Sequence, residues 1–204
     1  MVKKGEIIIY NYNLEIETKF LVEKENFYEK MNLLYSDNSG VNKIDSKIII
    51  NYYYDTSSMN LYEQGDTLRI RQFDHTLTLQ YKKFKKIEEN KRICNEFSFP
   101  IKKLPKTILN SNLSSKLPNI KNINEVYVYV GNTTVERKIF EFKGIKIFFD
   151  KNYYLGNIDY ELEIESLDNS KIIEFKKKLN LEINFNREIK SKYKRFLEAY
   201  LNFK

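Results

Sequence analysis

The chain has 204 residues, of which 42% are hydrophobic, 31% charged and 15% aromatic. This length predicts a single domain over residues 1–204. The high apolar content excludes a disordered chain, and because no uncharged apolar stretch reaches about 18 residues, the sequence also excludes a membrane-spanning helix. With 35 Lys and Arg against 28 Asp and Glu, the net charge is +7, which favours polyanionic partners.

The residue types also exclude several kinds of site. The chain has 6 glycines and shows neither GxGxxG nor GxxxxGK[ST], which excludes Rossmann and P-loop nucleotide sites. A single cysteine, Cys94, excludes internal disulfides and multi-thiolate zinc sites. The one histidine, His75, lies in a polar turn, which argues against a histidine-based triad. We expect a cytoplasmic protein whose chemistry uses carboxylates, Lys, Arg and Tyr.

Alternation of apolar and polar residues with a period of two dominates the chain and predicts antiparallel strands. In chain order, the predicted elements are a strand at 13–21, a helix at 24–35, strands at 43–55, 67–73, 76–84, 91–99, 125–142, 145–151 and 158–166, and helices at 170–180 and 191–202. Asp74-His75 and Lys143-Gly144 are predicted hairpin turns. Residues 105–122 are predicted to form a loop or a broken helical excursion.

Charged and polar side chains share one face of several of these strands, because residues two positions apart lie on the same face. The sets are Glu15, Glu17 and Lys19; Arg69 and Arg71; Thr78, Gln80 and Lys82; and Asp159, Glu161, Glu163 and Glu165. Eight antiparallel strands can close into a barrel with room for one small ligand, and a two-sheet sandwich is the alternative. If the barrel closes with its charged face inward, acids and bases meet in one tunnel.

The two kinds of charge suggest two kinds of ligand. Carboxylates about 7 Å apart on one strand face repel each other and gain when a cation lies between them, and oxygen ligands suit Mg²⁺ or Mn²⁺. Paired arginines suit phosphate oxygens, which guanidinium groups bind bidentately. A closed tunnel would therefore hold divalent cations on its acids and an oligophosphate on its bases.

These residues resemble the CYTH domain proteins, also called triphosphate tunnel metalloenzymes, from Glu15 to about Arg195. The resemblance rests on Glu15-Ile16-Glu17-Thr18-Lys19, Tyr53-Tyr54-Asp55-Thr56, Leu68-Arg69-Ile70-Arg71, Leu77-Thr78-Leu79, Arg137 thirteen residues before Asp150, Asp159-Tyr160-Glu161-Leu162-Glu163, and Ser191-Lys192-Tyr193. It implies the α+β fold class, with a closed eight-stranded antiparallel β-barrel that forms a tunnel and has flanking helices.

The resemblance also implies an activity. We expect a divalent-metal-dependent triphosphatase that uses Mg²⁺ or Mn²⁺ and releases phosphate from inorganic tripolyphosphate, or from thiamine or nucleoside triphosphate. The implied metal ligands are Glu15, Glu17, Asp150, Glu161, Glu163 and Glu165, and which two of the last three bind metal stays open. The implied phosphate-binding residues are Lys19, Arg69, Arg71, Lys82, Arg137 and Lys192, and the implied catalytic residues are Glu15, Glu17 and Lys19.

One position departs from the family's pattern. Family members usually follow Leu-Thr-Leu with a lysine, whereas Gln80 stands there and Lys82 is the nearest lysine on the same face. Either Lys82 reaches the phosphates from one layer further along, or the site has lost a positive charge. Glu96 is a further candidate for metal binding or for support of the metal site.

Three alternative functions stay open. A class IV-type adenylyl cyclase would attack the α-phosphorus with the ribose 3′-oxygen instead of water, and a non-catalytic protein would only bind polyphosphate or nucleotide. A general nucleic-acid binder would expose aromatics such as Tyr52, Tyr53 and Tyr54 on an open surface. The expected partner is a triphosphate-bearing small molecule, without a membrane and without nucleic acid other than an RNA 5′-triphosphate end.

Overall fold

The computed structural model describes residues 11–35, 40–88, 91–114, 125–166, 168–180 and 190–202. The strands within these residues are β1 (Asn11–Val22), β2 (Asn42–Asp55), β3 (Thr67–Phe73), β4 (Thr76–Glu88), β5 (Lys91–Ile101), β6 (Thr107–Leu109), β7 (Val126–Phe142), β8 (Ile145–Tyr154) and β9 (Asn157–Glu165). The helices are α1 (Lys24–Leu34), α2 (Asn60–Glu63), α3 (Asn110–Ser114), α4 (Asn169–Lys178) and α5 (Lys192–Asn202).

The strands form one antiparallel sheet that closes on itself. Neighbouring strands follow the order β2, β3, β4, β5, β1, β9, β8, β7, and β7 pairs back onto β2. The closing ladder runs from Asn42 opposite Glu141 to Asp55 opposite Val128. The predicted closed barrel of eight antiparallel strands is therefore confirmed, and the two-sheet alternative is excluded. β6 lies outside the barrel and pairs with the start of β7.

The predicted strands and helices are confirmed with small shifts at their ends, and both predicted hairpins, at Asp74-His75 and Lys143-Gly144, are present. Two short elements, β6 and α3, occupy the first part of the predicted loop at 105–122, and residues 115–122 lie outside the described residues. The four-residue helix α2 was not predicted, because so few residues cannot show a helical period.

Helices and short elements cover the apolar outer face of the barrel. On one side, α1 and α4 pack against β7, β8 and β9, and the buried cluster there includes Phe27, Met31, Phe140, Phe149, Leu162 and Phe175. On the other side, Leu61 of α2, Ile108 of β6 and Leu113 of α3 pack over Leu68 and Leu79. Burying each such side chain contributes about 1.5–3 kcal/mol, and this directs the alternate, charged residues of the same strands inward.

The first turns of α5 pack at one end of the barrel. Tyr193 stacks on Tyr53 with ring centroids 4.9 Å apart, and the ring of Phe196 lies 5.6 Å from that of Tyr53. Gly131 allows this approach, because a Cβ atom there would lie 2.3 Å from Cζ of Phe196. Tyr53 and Tyr54 are buried, at 0% and 2% exposure, and so are not a surface for stacking nucleic-acid bases.

A buried carboxylate ties α5 to the end of β2. Asp55 accepts a hydrogen bond of 2.7 Å from the hydroxyl of Tyr193 and bonds of 2.9 Å from the backbone amides of Leu61 and Tyr62. The Asp55 motif of the sequence thus fixes the rotation of α5, which places Lys192 inside the barrel.

Among the described helices, none is both long and apolar enough to cross a membrane.

Candidate active site

A cavity of about 460 Å³ opens inside the barrel. Its volume falls within the range of roughly 300–1,000 Å³ that small-molecule sites occupy. The charged residues that line it are Glu15, Glu17, Lys19, Arg69, Arg71, Lys82, Arg92, Glu96, Arg137, Lys146, Glu163, Glu165 and Lys192. Acids and bases from strands far apart in the chain therefore meet in one enclosed space, as the inward alternation of the strands requires.

Four carboxylates meet where β1 and β9 pair. Glu17 lies opposite Glu165 in the ladder, and one oxygen each of Glu15, Glu17, Glu163 and Glu165 lies within 4.8 Å of the others. Burial raises the pKa of Glu17 to about 7, against the lowering effect of Lys19 at 2.9 Å. Burial, with Glu163 and Glu15 nearby, raises the pKa of Glu165 to about 8. We call these four residues the upper acid group; for Glu17 and Glu165 within it, burial and the neighbouring acids outweigh the nearby cations, so the pKa of each carboxyl is raised.

A second set of acids, Asp150, Glu161 and Glu163, also brings oxygens within 4.8 Å of one another, and we call it the lower acid group. Arg137 binds Asp150 through two bonds of 2.7 Å, and Lys192 lies 2.8 Å from Asp150 and contacts Glu161. Asp150 and Glu161 are fully buried, and they are the two predicted site residues that do not themselves line the cavity. Protein cations already neutralise these two acids.

Glu163 belongs to both groups and joins them. Burial alone would raise its pKa, but Lys19 at 3.4 Å, Lys192 at 3.1 Å and Arg137 at 3.3 Å hold that pKa well below its usual range. Glu163 is therefore an anion at the centre of the site.

The sequence left open whether Lys82 takes the place of the lysine that Gln80 replaces. The Nζ of Lys82 lies 2.5 Å from the carboxylate of Glu15 and 3.0 Å from that of Glu96, and Lys82 lines the cavity. Although burial would raise the pKa of Glu96, Lys82, Arg69 and Arg71 lower it to about 2. Gln80 lies beside them in the tunnel wall and donates to Glu96 at 2.9 Å.

Arg69 and Arg71 line the cavity, and neither forms an ion pair with an acid among the described residues. Within the described segments, the ion pairs of the tunnel acids are made by Lys19, Lys82, Arg137, Lys192 and Arg195, and none by Arg69 or Arg71. Burial, together with Arg69 and Arg137, lowers the pKa of Arg71 to about 10. Arg69 and Arg71 therefore carry positive charge that no ion pair of the described residues neutralises, and Glu96 offsets it only through a longer-range attraction.

The sequence analysis assigned no site role to Arg195, which the structure places against the lower acid group. The guanidinium is 8% exposed and binds Glu161 at 2.6 Å and Asp159 at 2.8 Å. The signal was its spacing, because residues three apart share a helix face and Lys192 was already placed in the tunnel. Cys94 is buried, and burial raises the pKa of its thiol, which fits a passive side chain.

Comparisons with known proteins agree with this architecture. The model of the CYTH domain family matches residues 13–197. Similar solved structures include HpAC1 from Hippeastrum, a candidate adenylyl cyclase with a dominant triphosphatase activity; its TM-score is 0.70 at 18% identity, and the match covers 91% of this chain and 96% of that one. For a candidate adenylate cyclase from Bacillus halodurans the TM-score is 0.62 at 22% identity, with 91% of this chain and 98% of that one covered. The search of curated proteins gave no match. At these identities the solved structures show the fold alone.

Proposed function

The chain belongs to the CYTH domain family, and from that premise we propose that it is a divalent-metal-dependent hydrolase of triphosphate-bearing substrates, with inorganic tripolyphosphate as the first candidate. The dominant triphosphatase activity of HpAC1 supports this choice of reaction.

One observation carries the proposal: the tunnel holds arginines without an ion-pair partner beside acids that ionise only near neutral pH or above. Arg69 and Arg71 form no ion pair within the described segments, and burial raises the pKa of Glu17 to about 7 and that of Glu165 to about 8. A buried charge is costly unless it is paired, so a ligand that supplies both a cation and a polyanion would satisfy both sets at once. A metal-bound triphosphate, with about four negative charges on its phosphates, has this composition.

The upper acid group fits a hard divalent cation, because it offers only oxygen ligands, close together, and an added cation would favour the ionised forms of Glu17 and Glu165, whose pKa values are raised. We therefore assign metal binding to Glu15, Glu17, Glu163 and Glu165. Asp150 and Glu161, which Arg137, Lys192 and Arg195 neutralise, support the site instead. When bound, Mg²⁺ or Mn²⁺ supplies Lewis-acid chemistry that polarises phosphoryl oxygens and activates water near neutral pH.

The cations of the tunnel hold and orient the phosphates. Arg69 and Arg71 bind phosphate oxygens through paired N–H donors. Lys19 lies between Glu17 and Glu163, at the border between acids and bases, so it neutralises charge where the terminal phosphate meets the acids. Arg137, Lys192 and Lys82 add positive charge around the same space, which stabilises the charge of a phosphoryl group in transfer.

Phosphate release from tripolyphosphate, ATP and thiamine triphosphate tests the proposal, with Mg²⁺, Mn²⁺ or EDTA present. We expect EDTA to abolish release, and Glu17→Gln to lower kcat by on the order of 100-fold, the size typical for loss of one electrostatic contact in an active site. Glu136→Gln is the matched control, because Glu136 is an exposed acid on the outside of β7. Release that persists in EDTA and is untouched by Glu17→Gln would refute the mechanism.

The same assays separate the alternatives. Cyclic AMP among the products of the ATP reaction would show a cyclase, and tripolyphosphate binding without turnover would show a non-catalytic binder. RNA with a 5′-triphosphate end serves as a further substrate in the same phosphate assay.

A further inference from the structure

Two carboxamide side chains hold the two arginines of β3. Asn51 on β2 accepts a hydrogen bond from Nε of Arg71 at 3.2 Å, and Gln80 on β4 accepts one from Nε of Arg69 at 2.8 Å. β2 and β4 are the two neighbours of β3 in the sheet, and each amide lies directly opposite its arginine in the ladder. Each guanidinium is therefore fixed through one nitrogen from an adjacent strand.

The hydrogen-bond network determines which way both amides point. A guanidinium only donates, so the amide atom that faces Nε is the carbonyl oxygen. At Gln80, the amide nitrogen then donates to Glu96 at 2.9 Å. Asn51 is fully buried, and its amide nitrogen has no hydrogen-bond partner among the described residues.

A neutral hydrogen-bond acceptor orients a guanidinium without neutralising its positive charge. Four other cations of the tunnel, Lys19, Lys82, Arg137 and Lys192, are held by carboxylates, as Arg137 is by Asp150 and Lys82 is by Glu15. A guanidinium has five N–H donors, so a bond through Nε leaves the Nη groups for bidentate contact with a phosphate. Arg69 and Arg71 are therefore oriented and still fully charged.

We propose that Asn51 and Gln80 are positioning residues of the triphosphate site, which aim Arg71 and Arg69 at the anion and, because they are uncharged, leave both guanidinium charges to it. This inference rests on the proposed function and deepens it. It also gives Gln80 a role: where the family's pattern has a lysine, this chain uses the position to orient an arginine.

The substitution Asn51→Asp tests the role of neutrality, because it keeps the shape and the acceptor and adds only a charge. We expect tripolyphosphate, titrated in EDTA and followed by calorimetry, to bind at least about tenfold more weakly, since one added charge at about 7 Å has an effect of this size in a protein. The thermal midpoint should stay the same or rise, because the introduced carboxylate would pair with Arg71. A purely structural role predicts unchanged binding.

Gln72→Glu is the matched control. Gln72 lies on β3 next to Arg71, and its side chain accepts a bond of 2.8 Å from the hydroxyl of Tyr52 on the outer side of the barrel. The change keeps that acceptor and adds the same charge outside the tunnel, so binding should change by less than about twofold. An Asn51→Asp affinity equal to that of wild type, or an equal loss in Gln72→Glu, would overturn the proposal.

A second variant keeps the proposal testable if the buried carboxylate introduced by Asn51→Asp prevents folding. Gln80→Met removes the acceptor for Arg69 without adding charge, and tripolyphosphate affinity should fall severalfold. In the Arg69→Met background the same change should have little further effect, because Gln80 acts through Arg69. If Gln80→Met weakened tripolyphosphate binding by the same factor in wild type and in Arg69→Met, the positioning role of Gln80 would be contradicted.

The binding assay also separates this inference from the proposed hydrolysis. Wild-type protein that binds tripolyphosphate but releases no phosphate would contradict the hydrolase, while the effects of Asn51→Asp and Gln80→Met on binding would still decide the inference. Wild-type protein that does not bind tripolyphosphate in EDTA would overturn this inference, while phosphate release with Mg²⁺ or Mn²⁺ would still decide the hydrolase.

Discussion

At the scale of single residues, the tunnel acids differ in what surrounds them. Asp150 and Glu161 are fully buried against Arg137, Lys192 and Arg195, and their charges are neutralised by the protein. Glu165 lies among Glu163 and Glu15, and burial together with these acids raises its pKa to about 8. The same kind of side chain therefore stabilises the fold in one group and is left for a ligand to neutralise in the other.

This difference predicts opposite effects on stability. Asp150→Ala leaves Arg137 and Lys192 buried with one partner fewer, so we expect the free energy of unfolding to fall by about 3–5 kcal/mol. Glu165→Ala, the matched acid-to-alanine change, removes a carboxyl group that burial and the neighbouring acids disfavour as an anion, and it should cause no comparable loss. Urea denaturation in metal-free buffer measures both variants, and equal losses would show that the two groups do not differ as described.

At the scale of elements, α5 connects the core of the fold to the site. Its aromatic residues stack on Tyr53, its first residue Lys192 enters the tunnel, and Arg195 one turn later binds Glu161. The helix can approach β7 this closely only because Gly131 has no side chain. Packing of α5 and the geometry of Lys192 are therefore coupled.

Gly131→Ala tests this close approach. The added methyl would lie 2.3 Å from the ring of Phe196, and overpacking of this kind lowers stability by about 1–3 kcal/mol. Phe196→Leu combined with Gly131→Ala should recover part of the loss, because the smaller side chain makes room. Thermal denaturation of the single and double variants measures this, and a Gly131→Ala variant as stable as wild type would contradict the close contact.

At the scale of the whole molecule, closure of the sheet creates the site. The ladder between β2 and β7 places Lys47 opposite Arg137, and it brings the walls that carry Arg71 and Arg137 together around one cavity. An open sheet of the same strands would hold its charges apart in solvent, where screening weakens their effect on a ligand.

A ligand that satisfies these charges should stabilise the folded barrel. At a tripolyphosphate concentration 100 times its Kd, linkage adds about 2.7 kcal/mol, which corresponds to a rise in Tm of about 5–10 °C for a domain of this size. Sulfate at equal ionic strength should give a smaller rise, and Arg71→Gln should remove most of the effect of tripolyphosphate. A rise of equal size in Arg71→Gln would place the anion elsewhere.

Local patterns in the sequence were sufficient to locate the strands and to assign their faces. Period-two alternation predicted the eight barrel strands, and turn residues predicted two hairpins, because both signals depend on neighbours in the chain. The same alternation placed Glu17, Arg69 and Glu163 on charged faces, and the structure brings these three to one cavity.

The sequence by itself determined the succession of strands along the chain and the hydrophobic and charged face of each. It also determined which charged side chains are present and the resemblance to a family. Only the tertiary structure decided which of these side chains meet, because Lys192 of α5 meets Asp150, Glu165 meets Glu17, and Asn51 meets Arg71 although the members of each pair are well apart in the chain. The physical reason is that a strand pattern specifies the face on which a side chain lies, whereas register and barrel closure specify its partners.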